Sequence, residues 1–597
     1  VANTPTAEVT QTDVQKWTAE LQASEQFLRT FHKQGDKVVD RFVDNRADSL
    51  DTGVDSSRIS RLNLFHANII TLLAMMYEKL PKVEADRRFA DPNDDAARVA
   101  GEMITRILAQ DMNRSDNDLR TVLKHTLWDR LVPGFGVARV KYCMEEDEQA
   151  EPAGTLEASE GEAEPLYPKK DEWCEELYVH WRDYRYSPCR TREEMRWEAF
   201  RAYMNRDEFV ARFGEEKASG ISFTSKGPEK LFDGVGAQNI NVDKQAEVWE
   251  IWDKDAMQVV WWAQGATDLL DTKPDPLKLA EFFPSQPMIA NPTTSKYLPK
   301  ADFVIAQDIY SKIDEIETRL SYLIDACKSV GVYAGDSEAV KNMLQQGNEN
   351  QLIPVDNWAM YLERGGIKGA IEWFPIEAVA EVIQLLTIQQ SAWIQKLYQV
   401  TGMSDIMRGQ AATTGTTATE QKLKAQFGSV RISALQNEFA EFAQDLLNKK
   451  VQIIRKFYDA QRIVDLSNIM NTPDGSAVGA DGKPLVQAAI ALIKNSDQFD
   501  IRIAIRSDSM AAIDLEALKA ERTAFLQAVA QFVGQVTQVA TTMPEVVPFL
   551  MQLLKFGLAG YKSSSEMEGI IDQAIAKLEA TLAAKAAAPP KPSPEEQ

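Results

Sequence analysis

Histidine and cysteine are scarce in this chain, with only four of each in 597 residues. His32, His66, His125 and His180 show no His-x-x-x-His or Cys/His spacing, so the residue pattern offers no metal site. Cys143, Cys174, Cys189 and Cys327 form no Cys-x-x-Cys pair, and a chain of this length does not need disulfides to hold a core, so the thiols are expected to be reduced. There is no GxxxxGK[ST] phosphate loop and no Gly-x-Ser-x-Gly elbow. Adjacent carboxylates such as Glu145 and Glu146 lie in a polar stretch, where solvation leaves them poor general acids. No catalysis and no cofactor are expected, and any ATP-driven step must come from a partner.

Long apolar runs are missing too, since none approaches the roughly 18 residues that span a bilayer. The first residues, VANTPTAEVTQTDVQKW, lack the basic start and apolar middle of a signal peptide, so a cytoplasmic protein without a membrane partner is expected. Base is in deficit: 66 Lys and Arg face 89 Asp and Glu, a net charge of -23. That excludes broad wrapping of nucleic acid, which needs clustered cations. It is compatible with a duct that lets a polyanion slide without holding it. What is present is a globular composition, 44% hydrophobic and 26% charged, long enough for several packed modules.

Along the chain, residues 1–12 read as disordered and residues 12–37 as a helix with Trp17, Leu21, Phe27, Leu28 and Phe31 on its apolar positions. Helical patterns follow in NLFHANIITLLAMMYEKLPKVEADRRF, in the Asp-capped DPNDDAARVAGEMITRILAQ and in DNDLRTVLKHTLWDRLV. PGFGVARVKY alternates like a strand. Residues 145–164 hold nine carboxylates and no base, which predicts a solvated, mobile loop. WEAFRAYMNRDEFVARF reads as helical and AEVWEIWDKDAMQVVWWAQG as a β-hairpin, with Trp249, Trp252, Trp261 and Trp262 as core aromatics.

Two long helices come next. Over 302–327 the apolar positions Ile309, Ile313, Ile316, Leu320, Leu323 and Cys327 step by four and three, and over 376–401 Val379, Ile383, Leu386, Trp393, Leu397 and Val400 do the same. Each rod would extend about 39 Å. A small mixed module with strand-like VGVYAG separates them, which describes a stalk with a tip. Seams of this kind serve either contacts between neighbouring copies or an antiparallel hairpin within one chain. A loop without core residues, TGMSDIMRGQAATTGTTATEQ, leads into a helix of about forty residues from near Thr419 to near Tyr458. Short strands and a Pro-Asp-Gly turn end in the alternating FDIRIAIRSDS, residues 511–584 are helical again, and AAAPPKPSPEEQ is disordered by composition.

This order of elements resembles the portal proteins of tailed bacteriophages, of the short-tailed type. The segments LNLFHANIITLLAMMYEKLPKVEADRRFAD, LWDRLVPGFGVARVKY and TGMSDIMRGQAATTGTTATEQKLKAQFGSVRISALQNEFAEF carry the resemblance, which together with the architecture covers residues 10–585. It implies a mainly α fold with a mixed α/β wing and clip. The wing would span 13–301, with the acidic insertion 145–164 as a departure from the family. Stem helices would occupy 302–327 and 376–402, the clip 328–375 and the tunnel loop 403–418. The long wing helix and strands would fill 419–510 and the crown 511–585, with a disordered tail over 586–597. It further implies a dodecameric ring at a unique capsid vertex of the virion, assembled in the bacterial cytoplasm, through which double-stranded DNA passes non-specifically. The partners implied are the terminase large subunit, head-to-tail adaptor and tail proteins, and the major capsid and scaffolding proteins.

On that reading Arg408, Thr413, Thr414, Thr416 and Thr417 face DNA from the tunnel loop, because small and hydroxyl side chains approach a duplex without sequence-specific grip and one arginine per copy becomes a collar of charge. Lys422, Lys424 and Arg431 would add weaker contacts. Trp358, Tyr361, Arg364, Lys368 and Trp373 are clip candidates for partner binding, as aromatics and arginine dominate binding hot spots, or else the two tryptophans pack the clip core. Ile309, Ile313, Ile316, Leu320, Val379, Ile383, Leu386 and Trp393 would pack the stem. The alternative function is a helical scaffold or internal virion protein without a DNA channel.

Overall fold

The computed structural model describes most of residues 11–507. Outside the described residues lie 1–10, 45–61, 89–93, 113–117, 147–153, 157–163, 228–243, 334–370 and 403–417, several shorter stretches, and all but isolated positions after 507. The chain is mixed α/β with helix predominating.

The first helix, α1 (Gln11–Phe42), buries Trp17, Leu21, Ser24, Leu28 and Phe31, which recur at steps of three and four along one face. It is followed by α2 (Leu64–Met76), β1 (Val83–Arg87) and α3 (Asp95–Met112), whose start is capped where Ala97 N–H donates to Asp94 Oδ1 at 3.1 Å. α4 (Leu119–Leu131) is capped by Asp118 and runs into β2 (Phe135–Glu146) through a tight turn at Gly134, whose φ is +96°. The short β3 (Gly154–Leu156) and β4 (Glu164–Leu166) precede β5 (Lys169–Val179), β6 (Tyr184–Tyr186) and β7 (Trp197–Met204). Next come α5 (Arg206–Phe213), α6 (Glu215–Ala218), β8 (Ala246–Asp253), β9 (Gln258–Ala263), β10 (Asp271–Pro274) and β11 (Ser285–Ile289). α7 (Asp302–Ala326), β12 (Gly331–Tyr333), β13 (Ile371–Trp373) and α8 (Ile376–Thr401) form the middle of the chain. The last described elements are α9 (Ala418–Phe457), α10 (Ala460–Ser467), α11 (Leu485–Lys494), α12 (Ser496–Arg502) and β14 (Ile503–Ser507).

These elements make two compact units, the first from Val1–Lys37, Ile70–Ala301 and Ser429–Gln597 and the second from Val38–Ile69 and Asp302–Gly428. In the first, an antiparallel five-stranded sheet runs in the order β10-β9-β8-β7-β6. Trp17 and Leu21 of α1 pack onto Trp197, Trp249, Ile251, Val260 and Trp262 of that sheet. The Trp17 and Trp197 rings meet edge to face with centroids 5.9 Å apart, a geometry that aligns ring edge with ring face. All four tryptophans of β8 and β9 are buried.

A second sheet, β11-β2-β5, lies under α4. Helix and strand approach so closely that a Cβ on Gly136 would stand 2.1 Å from the Thr126 carbonyl oxygen, so only glycine fits there. β1 pairs with β14, from Val83 opposite Ser507 to Arg87 opposite Ile503, and α3 packs on that pair and on α10 and α11. Arg98 on α3 holds this group together through a bidentate pair with Asp474, at 2.8 and 2.9 Å, both residues being buried.

Several sequence expectations are corrected. WEAFRAYM is β7, hydrogen-bonded between β6 and β8, and the helix begins only after Asn205, where a capping box with Glu208 starts α5. Removing that cap with Asn205→Ala should cost about 1 kcal/mol in a denaturant titration. VEADR is a strand, not a continuation of helix. Between 459 and 502 the chain forms helices rather than short strands, so that FDIR belongs to α12 and only IAIRS is extended. The acidic insertion carries paired strands, β3 against β4, where a loop was expected. The crown segment 511–585 lies almost wholly outside the described residues.

Candidate assembly and DNA-facing surfaces

The second unit is built on the two rods. β12 leaves the end of α7 and pairs antiparallel with β13, which leads directly into α8, so the helices run back alongside one another as a hairpin. Ile313, Ile316 and Leu320 on α7 and Leu397 on α8 are buried, while Ile309, Val379, Ile383, Leu386 and Trp393 are half-buried. Gln390 donates to Glu317 across the pair. The apolar seams therefore meet within one chain, the arrangement that heptad spacing alone left open.

The first half of α7 is braced by residues 41–68. Arg41 pairs with Asp314 at 2.9 Å, Asn68 Nδ2 donates to the Tyr310 hydroxyl at 3.2 Å, and the Phe65 ring stands 4.8 Å from Phe303 and 5.8 Å from Tyr310. On its solvent side α7 carries a charge ladder, Lys312 and Arg319 both bonded to Glu315 at 2.8 and 2.6 Å.

The solvent side of α8 is different in kind. Val382, Leu385 and Ile388 recur every three residues and are 44%, 66% and 68% exposed. They form a second apolar stripe, separate from the seam. Scattered exposed aliphatics are ordinary, whereas these three large ones lie close together along one helix. Exposed apolar side chains also occur on α7, at Ile305, Tyr322 and Ile324, and exposed charges on α8, at Glu377, Glu381 and Lys396.

The remaining sequence candidates fall elsewhere. Arg408, Thr413, Thr414, Thr416 and Thr417 lie outside the described residues, as do Trp358, Tyr361, Arg364, Lys368 and Cys327. Lys422, Lys424 and Arg431 are on α9, and Trp373 ends β13 opposite Gly331, but their side chains are also outside the described set.

The first unit holds buried polar groups that the sequence did not single out. Lys450 on α9 is fully buried, donates to Glu176 Oε1 at 2.7 Å and faces Asp111. Burial alone would push its ammonium down, yet the two carboxylates outweigh that and hold it above its ordinary value. Glu198 is equally buried and accepts from the Tyr184 hydroxyl at 2.8 Å and from Ser285 Oγ at 2.6 Å, joining β6, β7 and β11. A cavity of about 300 Å³ is lined by Ile107, Gln110, Asp111, Glu172, Tyr458, Arg462 and Leu466. Its charged walls are already committed: Glu172 accepts from Tyr142, Lys169 and the Asp459 N–H, and Arg462 pairs with Asp171. Among the described residues no group of three or more His, Cys, Asp or Glu is placed to hold a metal ion, and no helix is long and apolar enough to cross a membrane.

No protein-family model matches the sequence, and no curated protein matches it.

Proposed function

We propose that this chain is the subunit of a phage portal, a ring channel at one capsid vertex for packaging and ejection of double-stranded DNA. The observation that carries the reading is the apolar stripe at Val382, Leu385 and Ile388, which stays exposed after the seams of α7 and α8 have met within the chain. A cyclic ring uses head-to-tail contacts, so every copy needs two different complementary faces. The stripe on α8 offers one such face, and the ion-paired Lys312, Glu315 and Arg319 of α7 lie on another.

On this proposal the segment 403–418, between α8 and α9, reaches the channel, with Arg408 as its phosphate contact. The tip carried by β12 and β13 takes the terminase motor during filling and the adaptor and tail proteins afterwards. The subunit itself does no chemistry, and the energy for packaging comes from the motor. The net charge of -23 suits a wall that releases a polyanion.

Imaging of the purified protein is the direct test: closed rings with an axial hole support the portal, and solid or open particles reject it in favour of a scaffold without a channel. Arg408→Ala should leave rings intact while changing the amount of DNA packaged or retained, read by genome content per particle. Unaltered packaging and retention would remove Arg408 from the channel.

A further inference from the structure

The register of the rod hairpin is set by one contact, Gln390 donating to Glu317. Leu385, five residues before Gln390, therefore stands level with Tyr322, five residues beyond Glu317. Lys396, six residues after Gln390, stands level with Ser311, six before Glu317. All four of these side chains are exposed.

Away from the seam each rod has a pattern of its own. On α8, Leu385, Ile388, Ala392 and Lys396 follow one another at steps of three and four and are all exposed, so they share a face. From Val382 to Gln395 this helix carries no charged residue, the depletion found at the core of protein interfaces. On α7, Asp308, Glu315 and Tyr322 recur every seven residues, across the helix from the buried Ile313, Ile316 and Leu320. Tyr322 offers an apolar ring with a polar tip. The charges at the ends of these two faces are opposite and unspent. Lys396 lies 4.1 Å over the Trp393 ring and pairs with no carboxylate among the described residues, and Asp308 pairs with no base among them.

A rotation about the channel axis carries a subunit around the ring without changing the height of any residue, so a rod standing along that axis meets only residues level with it on the next copy. The level partner of Leu385 is Tyr322. Ile388 falls level with Arg319, whose methylene stem it can cover. Lys396 falls one helical turn from Asp308, a gap of about 5 Å that a flexible lysine stem spans. We propose that the apolar stripe of α8 docks on the outer face of α7 in the next copy, with Leu385 against the Tyr322 ring and Lys396 against Asp308. The inference rests on the portal reading and names the face that receives the stripe. Each α7 then lies between its own α8 and a neighbour's, and the rods close into a palisade of alternating direction.

Cysteine pairs read the contact in full-length protein, with Cys327→Ser removing the native thiol next to α7 in sequence. On mild oxidation, Leu385→Cys with Tyr322→Cys should give a ladder from dimer to closed ring on a non-reducing denaturing gel, while each single variant runs as a monomer. Leu385→Cys with Ser311→Cys, displaced along the rod by about 16 Å, should give no ladder. Without cross-linking, Lys396→Glu and Asp308→Lys should each lower the fraction that sediments as rings, and the double reversal should restore it. Rings in which Leu385→Cys with Tyr322→Cys gives no ladder, or in which the Ser311→Cys pair ladders as strongly, overturn this docking and leave the portal reading standing. Absence of rings from the wild type overturns the portal reading and the docking with it. If the cysteine pair does not fold, the charge reversal decides, and a double variant no better than the single ones rejects the proposed register.

Discussion

Replacing Val382, Leu385 and Ile388 together by glutamine is expected to leave the subunit folded but to prevent it from assembling. The three side chains are 44%, 66% and 68% exposed, so their removal takes little from the monomer. Covered by a neighbouring copy, each would contribute roughly 1–2 kcal/mol, since part of its surface is already buried, or about 3–5 kcal/mol for each subunit contact. Every contact in a closed ring repeats the same loss. Sedimentation velocity should then show a monomer with unchanged circular dichroism where, on the portal proposal, the wild type sediments as a ring. Rings that survive all three substitutions would mean that the stripe is not the assembly face, and the portal reading would lose its chief support.

The second large effect concerns Lys450. Lys450→Met fills the same space but leaves the buried Glu176 and the half-buried Asp111 without their cation, which should cost about 3 kcal/mol. Urea unfolding of the first unit would report it as a lowered midpoint. The companion triple change with Glu176→Gln and Asp111→Asn should recover most of the loss, because the penalty arises from uncompensated charge rather than from lost packing. A single variant as stable as wild type would show that water reaches those carboxylates.

The parts of this fold that could be read in the sequence were those whose determinants are local. The rods α7 and α8 announce themselves by spacing alone, and the tryptophan hairpin of β8 and β9 by alternation. What spacing could not decide was whether the rods pair within a chain or between chains, since one seam satisfies either. WEAFRAYM misleads because its burial comes from both neighbouring strands and its apolar positions do not alternate cleanly, so it mimics a helix until Asn205 is recognised as the cap. VEADR was hidden for a different reason: its strand partner among the described residues is IAIRS, at the far end of the described chain. Among site residues, nothing in NKKVQII distinguishes Lys450, which is buried, from a lysine exposed on a helix. That property is created by segments remote in sequence. The candidates of the tunnel loop and clip rest on the family resemblance and not on local pattern.

The tie between Arg98 and Asp474 has a consequence for how the molecule is made. Its two residues are 376 positions apart, and β1 waits for β14 in the same way. At roughly 5–20 residues per second, a ribosome needs on the order of 20–75 s to deliver the second half of this joint after the first has emerged. For that interval a nascent chain exposes an unpaired strand edge and the apolar side of α3. Heat-shock chaperones or a slowed growth temperature should therefore raise the yield of soluble protein more than any change in the rods, whose helices meet soon after they are translated.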